Sequence, residues 1–477
     1  MNYRFTLLPL LIAVFVTIST VHGQENESLK YGSQYEGKRQ DEAMQKFREN
    51  RLGQFIHWGL YAIPGGKWDG KIYPGAAEWL QSWADVPPEE WSKLINQWNP
   101  DEFDAQEWAH MAKEAGFKYM TVTTKHHEGF CLWPSEYTDF DVASAPNKTD
   151  IMGELIDAYT KVGIDVYFYY SILDWHHPDW RYDIKSEEDE QAFERYKTYV
   201  DNQLTELVER YPEVKGFWFD GTWDKSVKKN GKWTLEIQQM LKSLKPGMIV
   251  NSRLRADDHG SRHFDSNDKL MGDYESGYER RLPSFREDTI VTTRDWEAVM
   301  TVPENQWGYH QDWSVSHVKS TNEVLEWITH SVAMGGNMLV NIGPKPDGTI
   351  RQQEKTLMKE IEQWMDINGE AIYAGDYLGW EKQDWGYYIA DQKTNEVYAL
   401  VFNVPVTQKI TVATPEGISI EEAHPLKDES ESLKISEKGP NEVFIHLPQP
   451  MFEAPYVIKL KVSGKDGSKG TYRKAKT

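Results

Sequence analysis

Cysteine is almost absent: Cys131 is the single one in 477 residues, so no intrachain disulfide can form. Positive charge is short as well. Lys and Arg total 53 against 75 Asp and Glu, a net charge of −22, which excludes the basic face expected of a nucleic-acid or anionic-lipid binder. Long apolar runs are missing too. Residues 7–16 form the longest, interrupted only by Pro9, and it is too short to span a membrane. With Arg4 before it and Val21-His22-Gly23 after it, residues 1–23 read as a cleaved secretory signal, so the expected address is secreted or periplasmic. A large disulfide-free domain fits an exported bacterial enzyme. Asn26 and Asn147 lie in glycosylation sequons, which matter only in a host that glycosylates.

Several catalytic signatures are also lacking. No Gly-x-Ser-x-Gly elbow occurs, and Cys131 follows Phe130 in an apolar context, so Ser or Cys nucleophiles are not expected. No Gly-rich dinucleotide fingerprint follows the first strand-like run. No His-x-His or His-Glu-x-x-His is found. Neighbouring histidines such as His126 and His127 would point to opposite faces of a strand, which argues against a catalytic metal; no cofactor is expected.

What the chain does have is aromatic surface, with 20 Trp and 25 Tyr. They suit either a large core or flat faces for sugar rings. Short apolar runs at 54–60, 119–125, 165–171, 216–221, 248–253, 271–275, 306–310 and 337–343 read as buried parallel strands. Helical patterns lie between them, for example 104–115, where Asp104 and Glu107 suggest a capping box. The alternation predicts an α/β fold, a (β/α)8 TIM-like barrel over 35–368. After about residue 372 the texture becomes short strands and turns. A C-terminal antiparallel β-sandwich is expected over 372–463, with a flexible tail at 464–477.

In such a barrel the chemistry sits where strands end. His57, Lys125-His126-His127-Glu128, Tyr170 with Asp174-Trp175-His176-His177, Asp220, Arg253, and Glu275 with Glu279 close successive runs. Asp220 stands out because strand parity puts it on one face with Trp218, at the end of an aromatic run. A carboxylate there is functional or is paired, for instance with Arg253. A second carboxylate, Glu275 or Glu279, would complete a glycosidase pair.

These segments together resemble the α-L-fucosidases of glycoside hydrolase family 29. The matching stretches include Phe55-Ile-His57-Trp-Gly59, Glu78-Trp79, Thr123-Thr-Lys-His-His-Glu-Gly-Phe-Cys-Leu-Trp133, Tyr169-Tyr-Ser171, Asp174-Trp-His-His-Pro-Asp179, Phe217-Trp-Phe-Asp-Gly221, Asn251-Ser-Arg253, Trp307-Gly-Tyr309 and Asn341-Ile-Gly-Pro344, in family order. The resemblance implies a retaining exo-glycosidase with Asp220 as nucleophile. It places His57, Glu78, Trp79, His126, His127, Tyr170, Trp175, Arg253 and Trp307 around the sugar. The acid/base segment departs from the family pattern, reading Gly272-Asp-Tyr-Glu-Ser-Gly-Tyr-Glu279-Arg-Arg-Leu-Pro283. Alignment on the downstream Pro selects Glu279, and alignment on Asp-Tyr leaves Glu275 open. The implied partner is a fucosylated oligosaccharide or, for some family members, an L-galactosylated one. A non-catalytic sugar-binding protein and a metal-dependent hydrolase on the same barrel are the readings from other classes.

Overall fold

The computed structural model describes residues 39–256, 263–265, 268–391, 394, 396–448 and 455–464. The expected signal, Asn26 and the tail beyond 464 lie outside them.

Eight strands form the first layer: β1 (Leu52–Ile56), β2 (Tyr119–Lys125), β3 (Asp165–Ser171), β4 (Gly216–Asp220), β5 (Ile249–Val250), β6 (Glu275–Tyr278), β7 (Trp296–Met300) and β8 (Asn337–Ile342). They are parallel throughout, in the order β5-β4-β3-β2-β1-β8-β7-β6. A parallel bridge between Asn251 and Tyr274 joins the two edges and closes the barrel. Closure removes the unpaired strand edges.

The seventh strand is Trp296–Met300, not the expected 306–310. Residues 306–310 instead form a loop above it, where Trp307 and Gly308 serve the site. The first and sixth strands are shifted from the expected 54–60 and 271–275.

The principal helices are α1 (Glu42–Asn50), α2 (Ala105–Glu114), α3 (Ile151–Lys161), α4 (Glu187–Arg210), α5 (Gly231–Leu244), α6 (Thr321–Ala333) and α7 (Gln352–Tyr373). Asp104 caps α2 by accepting from Gln106 and Glu107 N–H groups at 2.9 and 3.0 Å. Glu107 does not complete the expected box, since its carboxylate pairs with Lys355 of α7 at 2.5 Å. The reciprocal box occurs instead at α6, between Ser320 and Glu323. Among the described residues no α-helix separates β5 from β6, and only a short 3-10 turn, Thr289–Thr293, separates β6 from β7.

A two-sheet antiparallel sandwich follows. Its strands are β9 (Gly375–Asp376), β10 (Gly386–Asp391), β11 (Glu396–Val401), β12 (Lys409–Ala413), β13 (Ser419–Pro425), β14 (Ile435–Gly439), β15 (Glu442–His446) and β16 (Tyr456–Ser463). The sheets run β9-β10-β11-β16-β13 and β12-β15-β14. One face of the larger sheet, through Tyr387, Ile389, Tyr398, Leu400 and Val457, belongs to the same apolar core as the barrel helices. The other face packs on the small sheet. No helix of the described residues is long and apolar enough to cross a membrane.

Candidate active site

A cavity of about 620 Å³ opens at the C-terminal ends of the strands, within the ~300–1,000 Å³ usual for small-ligand sites. Asp220 ends β4 and enters it with Trp218, as parity requires. Glu279 enters from the loop after β6.

Arg253, just beyond β5, holds both carboxylates. Its Nη1 donates to Asp220 Oδ1 at 3.2 Å and its Nη2 pairs with Glu279 Oε1. The third donor, Nε, goes to the Ser276 carbonyl at 2.9 Å, and the guanidinium lies over the Trp218 ring at 4.6 Å. Each of the three guanidinium nitrogens is therefore engaged. Beneath it, the buried Glu297 of β7 accepts from Trp218 Nε1 at 3.0 Å and from Tyr119 Oη at 2.7 Å. Burial pushes its carboxyl up to about 7.

Three histidines line the same cavity. His57 Nδ1 sits 2.7 Å from Asn341 Oδ1. Because Asn341 Nδ2 donates to the Trp307 carbonyl at 2.7 Å, the amide oxygen must accept, so His57 carries its proton on Nδ1. His127 Nδ1 lies 2.6 Å from Ser171 Oγ, whose proton goes to the Leu173 carbonyl at 2.5 Å. By the same logic His127 donates through Nδ1. Its Nε2 is a lone-pair acceptor 3.9 Å from Asp220 Oδ2. Burial holds His57 down at about 3 and His127 at about 4, and His126 falls well below its usual value. The three are neutral at pH 7 and suit hydroxyl groups.

His126 and His127 both reach the cavity, contrary to strand parity. β2 ends at Lys125 after a register shift, and the pair lies past its end with ring centroids 4.2 Å apart. Among the described residues, no group of three or more His, Cys, Asp or Glu could hold a metal ion.

Glu78 is buried in the wall. Its Oε2 accepts from Gly308 N at 2.9 Å, and burial raises it to about 7. Trp79 and Trp307 line the cavity. Trp175 stands behind it, edge-on to Trp79 and His127 at 5.3 and 5.4 Å.

Tyr170 is a correction. It is fully buried on the outer face of β3, where its hydroxyl donates to Gln203 at 2.8 Å and Lys125 Nζ sits over its ring at 4.5 Å. Tyr169 faces inward instead, with its Oη 3.4 Å from Asp220 Oδ2 and its ring stacked on His126. The register explains the swap: Tyr169 pairs with Trp218 and Ser171 with Asp220, so Tyr170 must point away. Applying to β3 the parity already used for β4 identifies Tyr169. Glu275 is drawn off to Arg294 at 2.7 Å and does not line the cavity, whereas Glu279 does.

Two carboxylates on one arginine, ringed by neutral histidines and indoles at a barrel mouth, suit the hydrolysis of a glycoside. The α-L-fucosidase family model matches residues 18–370. The chain belongs to that family and is an α-L-fucosidase-type glycoside hydrolase. It is 60% identical to the crystal structure of an α-L-fucosidase of family 29 from Bacteroides thetaiotaomicron, covering 92% of this chain and 98% of that one with a TM-score of 0.88. A second structure from that organism, 61% identical with coverage of 91% and 99% and a TM-score of 0.87, is a trapped covalent intermediate made with 2-fluoro-fucosyl fluoride and a glutamate-to-glutamine mutant. Human tissue alpha-L-fucosidase is 29% identical over 424 residues, 84% of each chain.

Proposed function

We propose that this protein is a retaining exo-α-L-fucosidase that removes terminal α-L-fucose from oligosaccharides by double displacement. Asp220 is the nucleophile and Glu279 the acid/base. The observation that carries the reading is the Arg253 bridge. One guanidinium gathers the nucleophile and the acid/base at the same point of the cavity, as a glycosidase pair requires. The trapped covalent intermediate of the 61% identical relative supports it.

In the first step an Asp220 oxygen bonds to the anomeric carbon while the bond to the leaving oxygen breaks and Glu279 protonates that oxygen. In the second, Glu279 takes a proton from water as the water oxygen attacks the same carbon. As that bond forms, the bond from the anomeric carbon to Asp220 breaks, the electron pair returns to the Asp220 carboxylate and fucose leaves. The bare Nε2 atoms of His57 and His127 accept from ring hydroxyls. The indoles of Trp79, Trp223 and Trp307 give the cavity apolar walls suited to the methyl group of fucose. Residues 1–23 support export, with the protein acting outside the cytoplasm.

The test pairs p-nitrophenyl α-L-fucoside with the matching α-L-galactoside, with and without EDTA. Fucoside should be preferred, the rate should not respond to EDTA, and NMR should show α-fucose as the first product. Galactoside preference would keep the chemistry and move the substrate. No turnover of either would favour a binding protein.

A further inference from the structure

We infer that the C-terminal sandwich takes part in catalysis by holding the loop that carries the acid/base. His330 of α6 and Tyr387 of β10 are positioning residues for Glu279. The inference rests on the assignment of Glu279 above.

Glu279 stands on a loop with little support of its own. Residues 279–284 belong to no strand or helix, and no α-helix lies between β6 and β7 to back them. At the head of the loop the Glu279 carboxylate pairs with Arg253. That contact serves the charged form best. To protonate the leaving oxygen, Glu279 must be a neutral acid, and a neutral acid loses the charge-assisted pull of a guanidinium. In that form the path of the chain has to place it.

The chain is pinned four residues further on, a stretch that spans at most about 13–14 Å. Pro283 has no N–H, so its carbonyl is the only hydrogen-bonding group it offers. The residue is buried, and the carbonyl accepts from His330 Nε2 at 2.7 Å. A carbonyl can only accept, so His330 carries its proton on Nε2. Burial holds the ring neutral, at about 4. Two residues beyond Pro283, Phe285 sets its ring edge-on to His330, with centroids 4.9 Å apart, and lies 5.8 Å from Tyr387.

Tyr387 reaches this point from the sandwich. Its ring centroid is 5.5 Å from that of His330, and its hydroxyl stands 3.4 Å from His330 Nδ1. The same hydroxyl donates at 2.9 Å to Glu326, one turn before His330 on α6. Phe402, just past β11, packs edge-on to the Tyr387 ring at 5.6 Å. Loop, helix and sandwich thus meet on three rings. An exposed pair between Arg286 and Glu381 also links the loop to the sandwich at 3.0 Å, and such a pair contributes little. In a (β/α)8 barrel each strand is ordinarily followed by its own helix. After β6 that helix is missing, and a side chain of the second domain supports the loop in its place.

The experiment compares two substrates that differ in their need for an acid. Fluoride leaves α-L-fucosyl fluoride with little help from a proton, whereas the sugar of an α-L-fucosyl-galactose disaccharide needs one. On each, kcat/KM reports the first chemical step. His330→Ala and Tyr387→Ala should each lose about tenfold more on the disaccharide than on the fluoride. His330→Gln, whose amide N–H can reach the Pro283 carbonyl, should recover most of that excess loss. Tyr387→Phe, which keeps the ring, should do the same. Fluoride turnover also reports that each variant is folded. Glu279→Ala is the control and should show the largest split between the substrates. A split there with equal losses on both substrates in the two alanine variants of the anchor would overturn the anchor alone. No split in Glu279→Ala would overturn the acid/base assignment and the inference with it.

Discussion

At the residue scale the sharpest question is which groups do the chemistry. Asp220→Gly is expected to lower kcat by on the order of 10³-fold or more. Azide should restore part of the rate by attacking from the vacated side, giving β-fucosyl azide. Near-wild-type turnover would remove Asp220 from its role. Glu279→Ala should spare the first step on aryl fucosides, whose leaving groups need little protonation, and slow it on glycans. Glu275→Ala should show no such split, because its carboxylate is engaged by Arg294; finding the split there would reassign the acid/base. Glu297 works through others. It anchors the Trp218 indole on which Arg253 lies. Glu297→Ala strands the buried Trp218 N–H and Tyr119 hydroxyl, a cost of about 1–3 kcal/mol for each, and frees the ring under Arg253. Both Tm and kcat/KM should drop. Glu297→Gln, whose amide oxygen can still accept from the indole, should recover most of each loss. Failure of the conservative variant would mean that the charge itself is required.

At the element scale, one segment does several jobs. Lys125 is buried against Asp174 at 3.0 Å, and Asp174 also accepts from the His176 and His177 N–H groups at 2.9 Å each. That knot sets the loop carrying Trp175 against His127. Glu128 turns the other way, taking the Leu60 N–H at 2.6 Å and Trp91 Nε1 at 2.8 Å. Asp174→Ala leaves a buried ammonium uncompensated. Unfolding should be easier by about 3–5 kcal/mol in denaturant titrations, with weaker fucoside binding besides. A loss below 1 kcal/mol would show that the knot is not needed. The same elements explain what the sequence reveals. β2, β3, β4 and β8 are rich in β-branched, aliphatic or aromatic residues and buried on both faces, and such runs announce themselves. β7 does not. Trp296-Glu297-Ala-Val-Met300 carries a carboxylate into the barrel, so a reading that expects buried strands to be free of charge skips it and takes the aromatic loop at 306–310 instead. Asp220 and Arg253 could be found from strand ends. Glu297 could not, because its meaning depends on Trp218 and Tyr119 arriving from other strands.

At the scale of the whole molecule, barrel and sandwich share one apolar core, and polar contacts cross the seam, with Tyr387 Oη donating to Glu326 and Tyr398 Oη to Glu370 at 2.9 and 2.6 Å. One cooperative transition is therefore expected on heating, and its pH dependence follows from buried groups of two kinds. Burial keeps His57, His127 and His330 neutral, at about 3, 4 and 4. Unfolding returns them to about 6.5, so the unfolded chain binds more protons and stability is lost as pH falls below 6.5. Burial raises Glu78, Glu297 and Glu354 to about 7 and Glu128 to about 8. Here the folded chain binds more protons, so stability is lost as pH rises from about 4.5 toward 8. The two sets oppose each other between 4.5 and 6.5, and above 6.5 only the carboxyls act. Calorimetry should show Tm highest between about pH 4.5 and 6.5 and falling from 6.5 to 8. Glu128→Gln leaves one oxygen for two N–H donors, so Tm should be lower throughout. The titrating carboxyl is gone, however, and the fall above pH 6.5 should be shallower. A wild-type Tm that still rises from pH 6.5 to 8 would mean that these carboxyls are ionised in the folded protein.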